Sequence, residues 1–420
     1  MADRRSIAVV GAGVSGLTAA YILSKACDVT LYEAEPRLGG HAHTHTLTDS
    51  GGAEQRVDSG FIVHNDRTYP LLRRLFAELD VAVKPTEMSM SITDPATGLS
   101  YAGGRGLGGV FAQPRNALSP RFLRVLGSVR RFHKTARHFL TNAPDDDQTS
   151  LGEFLTQGGF SEDFRRWYAV PLVACVWSSG AQTALEYPAR YLFQFLEHHG
   201  MLQVKGSPTW YTVVGGSHSY VDALEARLAS VKKGSPVRVI ERGDGYVTVT
   251  TDDDQRHEHD AVVIATHADD ALRLLADPSE NESRVLGAFR YSPNTTVLHT
   301  DDSILPPAKR AKASWNYLVD TEGDRPPVVT YWMNKLQRLE SSTEYLVSLG
   351  AQDRIDPAKV LAVMDYSHPI YDQESVRAQG QLPSLATATT VYAGAYHGWG
   401  FHEDGCRSGV QAAAALGVDW

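Results

Sequence analysis

Cysteine is scarce in this 420-residue chain, which contains only Cys27, Cys175 and Cys406. A disulfide framework uses an even number of cysteines, and a cysteine-based metal site has short spacings between them. The sequence predicts neither, because the three cysteines are far apart and cannot all be paired. Free cysteines in small number are typical of a reducing compartment, and we therefore expect a cytoplasmic protein.

Long apolar runs are also missing. The longest, around Ala169–Trp177, contains Pro171, whereas a membrane-spanning helix needs about 20 consecutive apolar residues. The sequence therefore predicts no transmembrane segment. The hydrophobic content of 42% is still sufficient for a large buried core.

Positively charged residues are fewer than negatively charged ones, and the formal net charge is -9. An acidic chain has no general attraction to nucleic acids or anionic lipids, so we expect no nucleic-acid partner. A local group of cations between Arg121 and Arg137 is interpreted as the solvent-facing side of a helix. Peripheral contact with a membrane stays open.

Glycine, in contrast, is concentrated where a predicted strand meets a predicted helix. The β-branched run Ser6–Val10 leads into Gly11, Gly13 and Gly16, and residues 17–25 have helical composition. Gly11 permits a tight turn, Gly13 lets the backbone approach a pyrophosphate, and Gly16 lets the helix pack close to the strand. The order of elements predicts a dinucleotide-binding turn.

The helix that follows this turn would hold the phosphates. Its first residues, Val14 and Ser15, would present free backbone N–H groups and the positive end of the helix dipole. A second strand covers residues 28–33 and ends at Glu33, about 20 residues after the glycines. An acid at this place accepts hydrogen bonds from ribose hydroxyls.

The segment after Glu33 favours FAD over NAD. Residues Ala34, Arg37, Gly39 and Gly40 form a stretch that resembles the ExxxRxGG pattern of FAD-binding oxidoreductases. In that resemblance, the backbone passes close to the pyrophosphate and the ribityl chain. A further segment looks like the one that next reaches the flavin, and it consists of Asp58, Ser59, Gly60 and Phe61.

The remaining chain predicts alternating strands and helices. Helices are expected at 67–79, over most of 119–199, at 220–230 and at 405–416, with a glycine-rich loop at 103–109. Strands are expected in 86–100 and at 236–240, 246–250, 260–266 and 390–393. The predicted class is α/β, with a doubly wound, Rossmann-like FAD domain and a mixed α+β substrate domain.

Taken in order, these landmarks resemble the monoamine oxidase, protoporphyrinogen oxidase and phytoene desaturase superfamily. The glycine motif, Glu33, the Gly215-Gly216 loop, Val237 and the motif beginning at Gly394 carry the likeness. The resemblance implies a discontinuous FAD domain at 1–70, 205–275 and 385–420. The substrate domain would occupy 71–204 and 276–384, with a helical part at about 119–199.

The same resemblance implies further cofactor contacts. Val237 would pack on or bond to adenine, and the helix start near Glu403 and Asp404 would lie by the flavin pyrimidine. The chain departs from the pattern in two places. Ala395 stands where an acid usually follows the glycine, and His41 stands where amine oxidases have an arginine. No cysteine matches the covalent attachment site of some relatives, so we expect noncovalent FAD.

The candidate catalytic residues come from the same motifs. His402 lies where related amine oxidases place one aromatic residue facing the flavin, and it is also a candidate for substrate orientation or proton exchange. Tyr396 is a candidate wall of the pocket, His64 follows the flavin-reaching segment, and Lys205 is a weaker candidate for placing a water. Solvent-exposed or core positions are the alternative interpretation of each.

Two further groups of side chains have open interpretations. His41, His43 and His45 alternate, so on a strand they would share one face, but no further metal ligand is evident and no metal is predicted. Large apolar residues either line a substrate tunnel or form core. They are Trp167, Tyr168, Trp177, Tyr191, Phe193, Phe195 and Trp210.

More closely, GGHAHT (39–44), DSGFIVHN (58–65), YWMNKLQ (331–337) and GAYHGWGFHEDG (394–405) resemble a branch of bacterial FAD-dependent oxidoreductases. Members of that branch often accompany cyclopropane-fatty-acid-synthase-like enzymes. The resemblance therefore implies hydride transfer to or from flavin N5 on an unsaturated or modified acyl chain. The alternatives are a flavin amine oxidase and a nonenzymatic FAD-binding partner of a lipid-modifying enzyme.

Overall fold

The computed structural model describes residues 4–177, 180–203, 206–319 and 328–420. It contains both helices and sheets, as the α/β class predicts. Among the described residues, no helix is both long and apolar enough to cross a bilayer.

The strands are short except for β15 and β19. In chain order they are β1 (Ser6–Val10), β2 (Asp28–Tyr32), β3 (Thr44–Thr48), β4 (Glu54–Asp58), β5 (Val63–Asn65), β6 (Val83–Pro85), β7 (Met90–Asp94), β8 (Leu99–Gly103), β9 (Trp210–Val213), β10 (Ser230–Lys232), β11 (Val237–Arg242), β12 (Val247–Thr251), β13 (Arg256–His259), β14 (Ala261–Ile264), β15 (Arg290–His299), β16 (Trp315–Leu318), β17 (Val328–Trp332), β18 (Leu346–Leu349), β19 (Val360–Ile370) and β20 (Thr390–Tyr392).

The helices are concentrated in the middle of the chain. They are α1 (Val14–Leu23), α2 (Pro70–Glu78), α3 (Gly106–Val110), α4 (Pro120–Asn142), α5 (Leu151–Gln157), α6 (Glu162–Phe164), α7 (Val170–Trp177), α8 (Ala181–Glu186), α9 (Ala189–His198), α10 (His218–Glu225), α11 (Ala268–Leu274), α12 (Glu280–Leu286), α13 (Met333–Leu336), α14 (Gln373–Gln379) and α15 (His402–Ala415). The predicted loop at 103–109 is corrected in part, because α3 begins within it.

A parallel sheet brings together the two ends of the chain. Its strand order is β10-β2-β1-β14-β20, and β1 pairs in parallel with both β2 and β14. Its core strands are apolar and buried on both faces, which is typical of parallel sheets covered by helices. Helices α1 and α15 pack against each other, with Gly409 so close to α1 that an added Cβ would lie 2.4 Å from the Ser15 carbonyl oxygen.

A second sheet of seven strands has the order β19-β15-β18-β17-β16-β7-β8. It is mostly antiparallel, but β16 pairs in parallel with β7. Helices α4 to α9 pack around a phenylalanine-rich core that includes Phe132, Phe154 and Phe193. The two sheets draw on separate segments of the chain, and the domain boundaries given above stay a prediction.

Candidate active site

A cavity of about 1260 Å³ is bordered by both sheets and by the helical region. Its wall includes the glycine turn after β1, the end of β2, the loops at 39–41 and 59–63, and the C-terminal loop at 394–402. The carboxyl ends of β1, β14 and β20 all open onto it. Ligands of open α/β sheets bind outside this edge of the strands.

The glycine turn is shaped by two close approaches. Gly11 has φ +99°, and an added Cβ there would lie 2.8 Å from the Ala265 carbonyl oxygen. At Gly16 an added Cβ would lie 1.9 Å from the Gly11 carbonyl oxygen, so α1 packs directly on the turn. Gly13 differs, because beyond its two chain neighbours no atom of the described residues lies within 4 Å of its Cβ position, and it lines the cavity. The backbone of Gly13 is thus accessible to a ligand.

Glu33 lies at the end of β2 and reaches back to the same turn. Its Oε2 accepts a hydrogen bond from the backbone N–H of Ala12 at 2.7 Å, and its Oε1 accepts one from that of Glu35 at 2.9 Å. Arg37 donates to the Gly40 carbonyl at 2.8 Å. These residues, with Ala34 and Gly39, form one continuous rim of the cavity.

His41 turns into the cavity, and its Nε2 is buried without a hydrogen-bond partner among the described residues. Its ring centroid lies 4.8 Å from that of Tyr366 and 5.4 Å from that of His368. Burial, followed by the neighbouring histidine His368, holds the pKa of His41 well below its usual value. A neutral imidazole thus replaces the permanently charged guanidinium of amine oxidases.

The three alternating histidines do not lie together on one strand, which is the arrangement in which they would share one face. Strand β3 begins at Thr44, so only His45 belongs to it. The rings of His43 and His45 are 4.1 Å apart, and both His41 and His43 line the cavity. A separate group of described residues, His267, Asp269 and Asp270, has metal-ligand spacing, but Arg273 pairs with both carboxylates.

The C-terminal loop forms a further part of the cavity wall. His402 is stacked on Phe61 with ring centroids 3.8 Å apart and planes inclined by 13°. Its Nε2 lies 3.2 Å from the Tyr220 hydroxyl. Burial lowers the pKa of His402 to about 3, with a smaller contribution from His64. The imidazole is therefore neutral near physiological pH.

Tyr396 and Gly394 lie in the same loop. The Tyr396 hydroxyl is buried without a partner among the described residues, and the side chain lines the cavity. Burial raises the pKa of Tyr396 well above its usual value, so the phenol stays protonated. The backbone N–H of Gly394 donates to Ser408 Oγ at 2.9 Å, which fixes the loop to α15.

Several predicted residues support the cavity from behind its wall. The Glu403 carboxylate accepts hydrogen bonds from the backbone N–H groups of Leu71 and Leu72 at the start of α2. Asp404 caps its own helix at Phe401 and pairs with Arg407. Burial raises the pKa of Asp404 to about 6.

Three more predicted residues also stand back from the cavity wall. His64 is buried among aromatic rings, 5.3 Å from Phe76 and 5.8 Å from Tyr211 between centroids. Val237 begins β11 and is partly buried there. Asp58 is fully buried behind Ser59 and Gly60, which do line the cavity. Lys205 lies outside the described residues.

Two aromatic residues of the cavity, Phe401 and His199, were not predicted as site residues. The Phe401 ring is stacked on Phe195 at 4.9 Å and 20°, and Phe195 is stacked on His199 at 4.0 Å. Trp177 donates from Nε1 to the Trp399 carbonyl at 3.0 Å, so α7 is fixed to the C-terminal loop. Trp177 and Phe195 are both buried and cavity-lining, and the core and tunnel interpretations are therefore not exclusive.

The volume of the cavity and the polar atoms on its wall that lack hydrogen-bond partners both fit a bound flavin dinucleotide. Pockets for single small molecules measure about 300–1,000 Å³, so 1260 Å³ leaves room beyond one ligand. Four buried polar atoms of cavity residues have no partner among the described residues, namely His41 Nε2, Tyr396 OH, Trp315 Nε1 and Trp399 Nε1. Unpaired buried groups are costly unless a ligand or water satisfies them.

A parallel sheet with this glycine turn, an acid at the end of β2 and a C-terminal loop over the cavity defines a dinucleotide-binding flavoprotein. The chain belongs to the flavin-containing amine oxidoreductase family, whose model matches residues 14–321. It is accordingly an FAD-dependent oxidoreductase.

The comparisons also show relatives with different activities. The chain is 29% identical over 305 residues to the carotenoid phi-ring synthase of Streptomyces griseus, covering 66% of this chain and 55% of that protein. It thus spans little more than half of that relative. Putrescine oxidase bound to putrescine has a similar fold, with a TM-score of 0.70, 16% identity and 98% of each chain covered. The fatty acid isomerase of P. acnes is similar at 0.68, 17% and 99% of each chain.

Proposed function

We propose that this enzyme carries out dehydrogenation, saturation or isomerisation of an unsaturated or modified acyl chain or a comparably apolar substrate. The main support for this proposal is that the cavity extends from the glycine turn into a chamber with apolar and aromatic walls. An elongated apolar molecule fits such a chamber because burial of its methylene groups is favourable, by about 0.8 kcal/mol for each CH₂.

The walls of the chamber come from several separate elements of the chain. Helices α7 and α9 contribute Leu172, Val176, Trp177 and Phe195, and the C-terminal loop contributes Phe401. The seven-stranded sheet and the chain leading into it contribute Met88, Met90, Trp315, Leu349 and Met364. Methionine and aromatic side chains of this kind adapt to irregular apolar shapes.

The carboxylates that line the cavity lie away from α7 and α9, which form the helical wall of the chamber. Among the described residues, the carboxylates that line the cavity are Glu33, Glu35, Asp270 and Asp365. Glu33 and Glu35 follow β2, Asp270 lies on α11, and Asp365 lies on β19, where Thr295 donates to it. No carboxylate from α7 or α9 reaches the cavity, which favours a neutral substrate segment at that wall.

The cavity residues would orient the reacting molecules and exclude water from them. When bound, FAD supplies the two-electron chemistry at its isoalloxazine ring, while the protein supplies position and electrostatics. The unpaired Tyr396 hydroxyl and the neutral His41 imidazole are available to hydrogen-bond a ligand in this setting. His402 is held by Phe61 and Tyr220 and shapes the wall.

Two of the relatives support the apolar substrate. The carotenoid phi-ring synthase is named for carotenoids, which are long polyenes. The fatty acid isomerase has a fold of the same kind, so this architecture accommodates an acyl chain in at least one other protein. Neither similarity identifies the substrate of this chain, which is proposed from the chamber itself.

The test is an anaerobic screen of the FAD-loaded protein with oleate, linoleate and phosphatidylglycerol carrying the same chains. We expect bleaching of the flavin absorbance, or a product with altered unsaturation by mass spectrometry, with the oxidised or dithionite-reduced enzyme. The variant Phe195→Trp narrows the chamber and should impair long chains more than short ones. Phe139→Trp is the matched control, because Phe139 packs in the helical core outside the cavity wall.

A flavin amine oxidase is the second candidate. Trp399 and Phe401 line the cavity and favour it, since aromatic side chains can attract an ammonium group. This candidate predicts bleaching of the flavin by simple amines and no change in any lipid. That outcome, or the absence of any lipid product in both redox states, would overturn the acyl-chain proposal.

A further inference from the structure

The chain has a cationic surface, although its formal net charge is -9. Residues 95–144 contain eight lysines and arginines and no aspartate or glutamate. The whole chain has 40 cations and 49 acids, so the remaining residues contain 32 cations and 49 acids, a charge of -17. The segment is therefore strongly basic within a strongly acidic protein.

Helix α4 displays most of these cations on one side. Its exposed positions include Arg124, Arg130, Arg131, Lys134 and Arg137, which fall on one side of a helix with 3.6 residues per turn. Among the described residues, none of these five has a carboxylate within 4.0 Å. Over the part of the chain that the structure describes, these five cations therefore have no acidic partner, in contrast to Arg121, which pairs with Asp163.

Large apolar side chains are exposed beside these cations. Leu107 on α3 is 77% exposed, Leu118 just before α4 is 85% exposed, and Leu123 in the first turn of α4 is 44% exposed. Single exposed leucines are common on protein surfaces, whereas several that occur together mark an interaction or membrane surface. A surface that combines projecting leucines with unpaired cations fits an interface of apolar and anionic character.

The cavity reaches the surface at the same place. Gly104 is exposed and also lines the cavity, and it immediately precedes Arg105 and α3. Arg105 donates to the carbonyl of Lys312 at 2.7 Å, which joins α3 to a second cationic segment with exposed Lys309 and Arg310. An opening of the cavity is thus adjacent to the basic, leucine-bearing surface.

From these juxtaposed features, we infer that the face formed by α3, the turn at 114–118 and α4 docks onto an anionic lipid bilayer. Leu107, Leu118 and Leu123 would enter the headgroup region, and the α4 cations would contact lipid phosphates. Docking would place the opening at Gly104 against the membrane. This inference stands on the surface residues and does not require the proposed acyl-chain chemistry.

The charge part is tested by sedimentation of the FAD-loaded protein with vesicles. We compare phosphatidylcholine alone with equal parts of phosphatidylcholine and phosphatidylglycerol. Binding is expected only to the anionic vesicles and should weaken with added salt. The triple change Arg130→Gln, Arg131→Gln and Lys134→Gln should lower the partition coefficient about a hundredfold, since each cation near the surface contributes about fivefold.

The matched control removes three exposed cations from β11, β13 and α12. Arg238→Gln, Arg256→Gln and Arg284→Gln produce the same change in net charge and should leave vesicle binding unchanged. Equal loss of binding in the two triple variants would contradict the proposal. Both variants must keep the flavin absorbance and melting temperature of the parent protein, so that loss of fold is recognised.

The apolar part is tested with Leu107→Ser and Leu118→Ser together. We expect at least a tenfold loss of vesicle binding, because each leucine buries apolar area in the bilayer. The control pair is Leu361→Ser and Val363→Ser on β19, which are 43% and 58% exposed. Absence of vesicle binding by the parent protein would overturn the inference, as would binding to heparin or to an acidic protein without binding to vesicles.

Discussion

The imidazole of His402 lies flat on the phenyl ring of Phe61, with 3.8 Å between centroids. This pair joins the loop after β4 to the first residue of α15, which are more than 300 positions apart in the chain. Stacked aromatic pairs contribute about 0.5–1.5 kcal/mol beyond the area that they bury. The contact thereby fixes the C-terminal loop across the cavity.

The first prediction concerns the role of this pair. His402→Phe preserves the stack and His402→Ala removes it, so we expect near-normal FAD affinity in the first variant and about tenfold weaker binding in the second. Because burial lowers the pKa of His402 to about 3, His402→Phe should not change the shape of the pH–rate profile between about pH 5 and 8. Flavin fluorescence titration and kcat/KM measurements test both. Loss of one limb of the profile would assign a proton-transfer role to His402.

The second prediction separates cofactor binding from folding at two neighbouring glycines. The Cβ of Gly13→Ala would project into open space, whereas that of Gly16→Ala would lie 1.9 Å from the Gly11 carbonyl oxygen. We expect Gly13→Ala to fold with an unchanged melting temperature as apoprotein and to bind FAD at least tenfold more weakly. Gly16→Ala should lose several degrees or fail to fold.

Thermal unfolding with and without FAD provides the measurement. If Gly13→Ala bound FAD normally, the position of the pyrophosphate above this turn would be wrong. A normal melting temperature for Gly16→Ala would show that α1 can shift away from the turn.

The sequence was sufficient to predict the first βαβ unit and most of the parallel sheet. Predicted residues 6–10, 28–33 and 390–393 correspond to β1, β2 and β20 within one residue. These strands are mostly buried, and a short run of β-branched and apolar residues identifies each of them. Strand β10 was missed because Ser230–Lys232 lies at the sheet edge and has only three partly buried residues.

The seven-stranded sheet and the far wall of the cavity were beyond prediction. Strand β16 pairs with β7, so that Trp315 opposes Met90 across 225 positions of chain, and no local pattern encodes such a pairing. Phe401 and His199 meet through Phe195 for the same reason. Local composition indicated aromatic residues but not which rings would face the cavity.

The third prediction concerns the buried carboxylate Asp58. It accepts hydrogen bonds from Thr44 Oγ1, from the backbone N–H and hydroxyl of Ser217, and from Gln337 Nε2 at 2.8 Å. Burial raises the pKa of Asp58 to about 6, so the carboxylate is charged at pH 7 and is balanced by these donors. Asp58→Asn would place an amide N–H₂ against at least one donor.

We expect Asp58→Asn to lower the free energy of unfolding by about 2–4 kcal/mol at pH 7, as measured by urea denaturation. The control Asp66→Asn changes an exposed aspartate and should cost much less. A neutral effect of Asp58→Asn would mean that the carboxyl is already protonated in the folded protein.

The fourth prediction is that FAD is noncovalent. Cys406 is fully buried where α15 packs on α1, and it does not line the cavity. Cys175 does line it, and burial raises the pKa of this thiol, which disfavours the reactive thiolate. Acid precipitation should therefore release all of the flavin as FAD, and Cys175→Ser should behave identically. Flavin retained in the parent pellet but released from Cys175→Ser would reveal a covalent bond at that residue.

The last prediction is that stability falls on acidification, because many histidines are buried as neutral bases. His133, His259 and His299 accept or donate hydrogen bonds with Tyr168, Ser6 and Ser348, and burial lowers the pKa of each to about 4. The unfolded chain binds protons below pH 6.5 while the folded chain does not. Stability from each histidine is thus complete above about pH 6.5 and is lost as the pH falls toward 4, by at most about 1.4 kcal/mol per pH unit.

Asp58 and Asp404 act in the opposite direction, since burial raises the pKa of each to about 6 and their protonation favours the folded state between pH 6 and 3.8. Histidines with a pKa lowered to about 4 outnumber them, because His64, His199, His368 and His397 also belong to this set. Urea unfolding of the apoprotein should therefore give a smaller free energy at pH 5 than at pH 7. His299→Gln keeps a hydrogen-bonding side chain at Ser348 and should reduce the difference between the two unfolding free energies by the contribution of one histidine. An equal or larger unfolding free energy of the parent protein at pH 5 would mean that the carboxyl groups dominate.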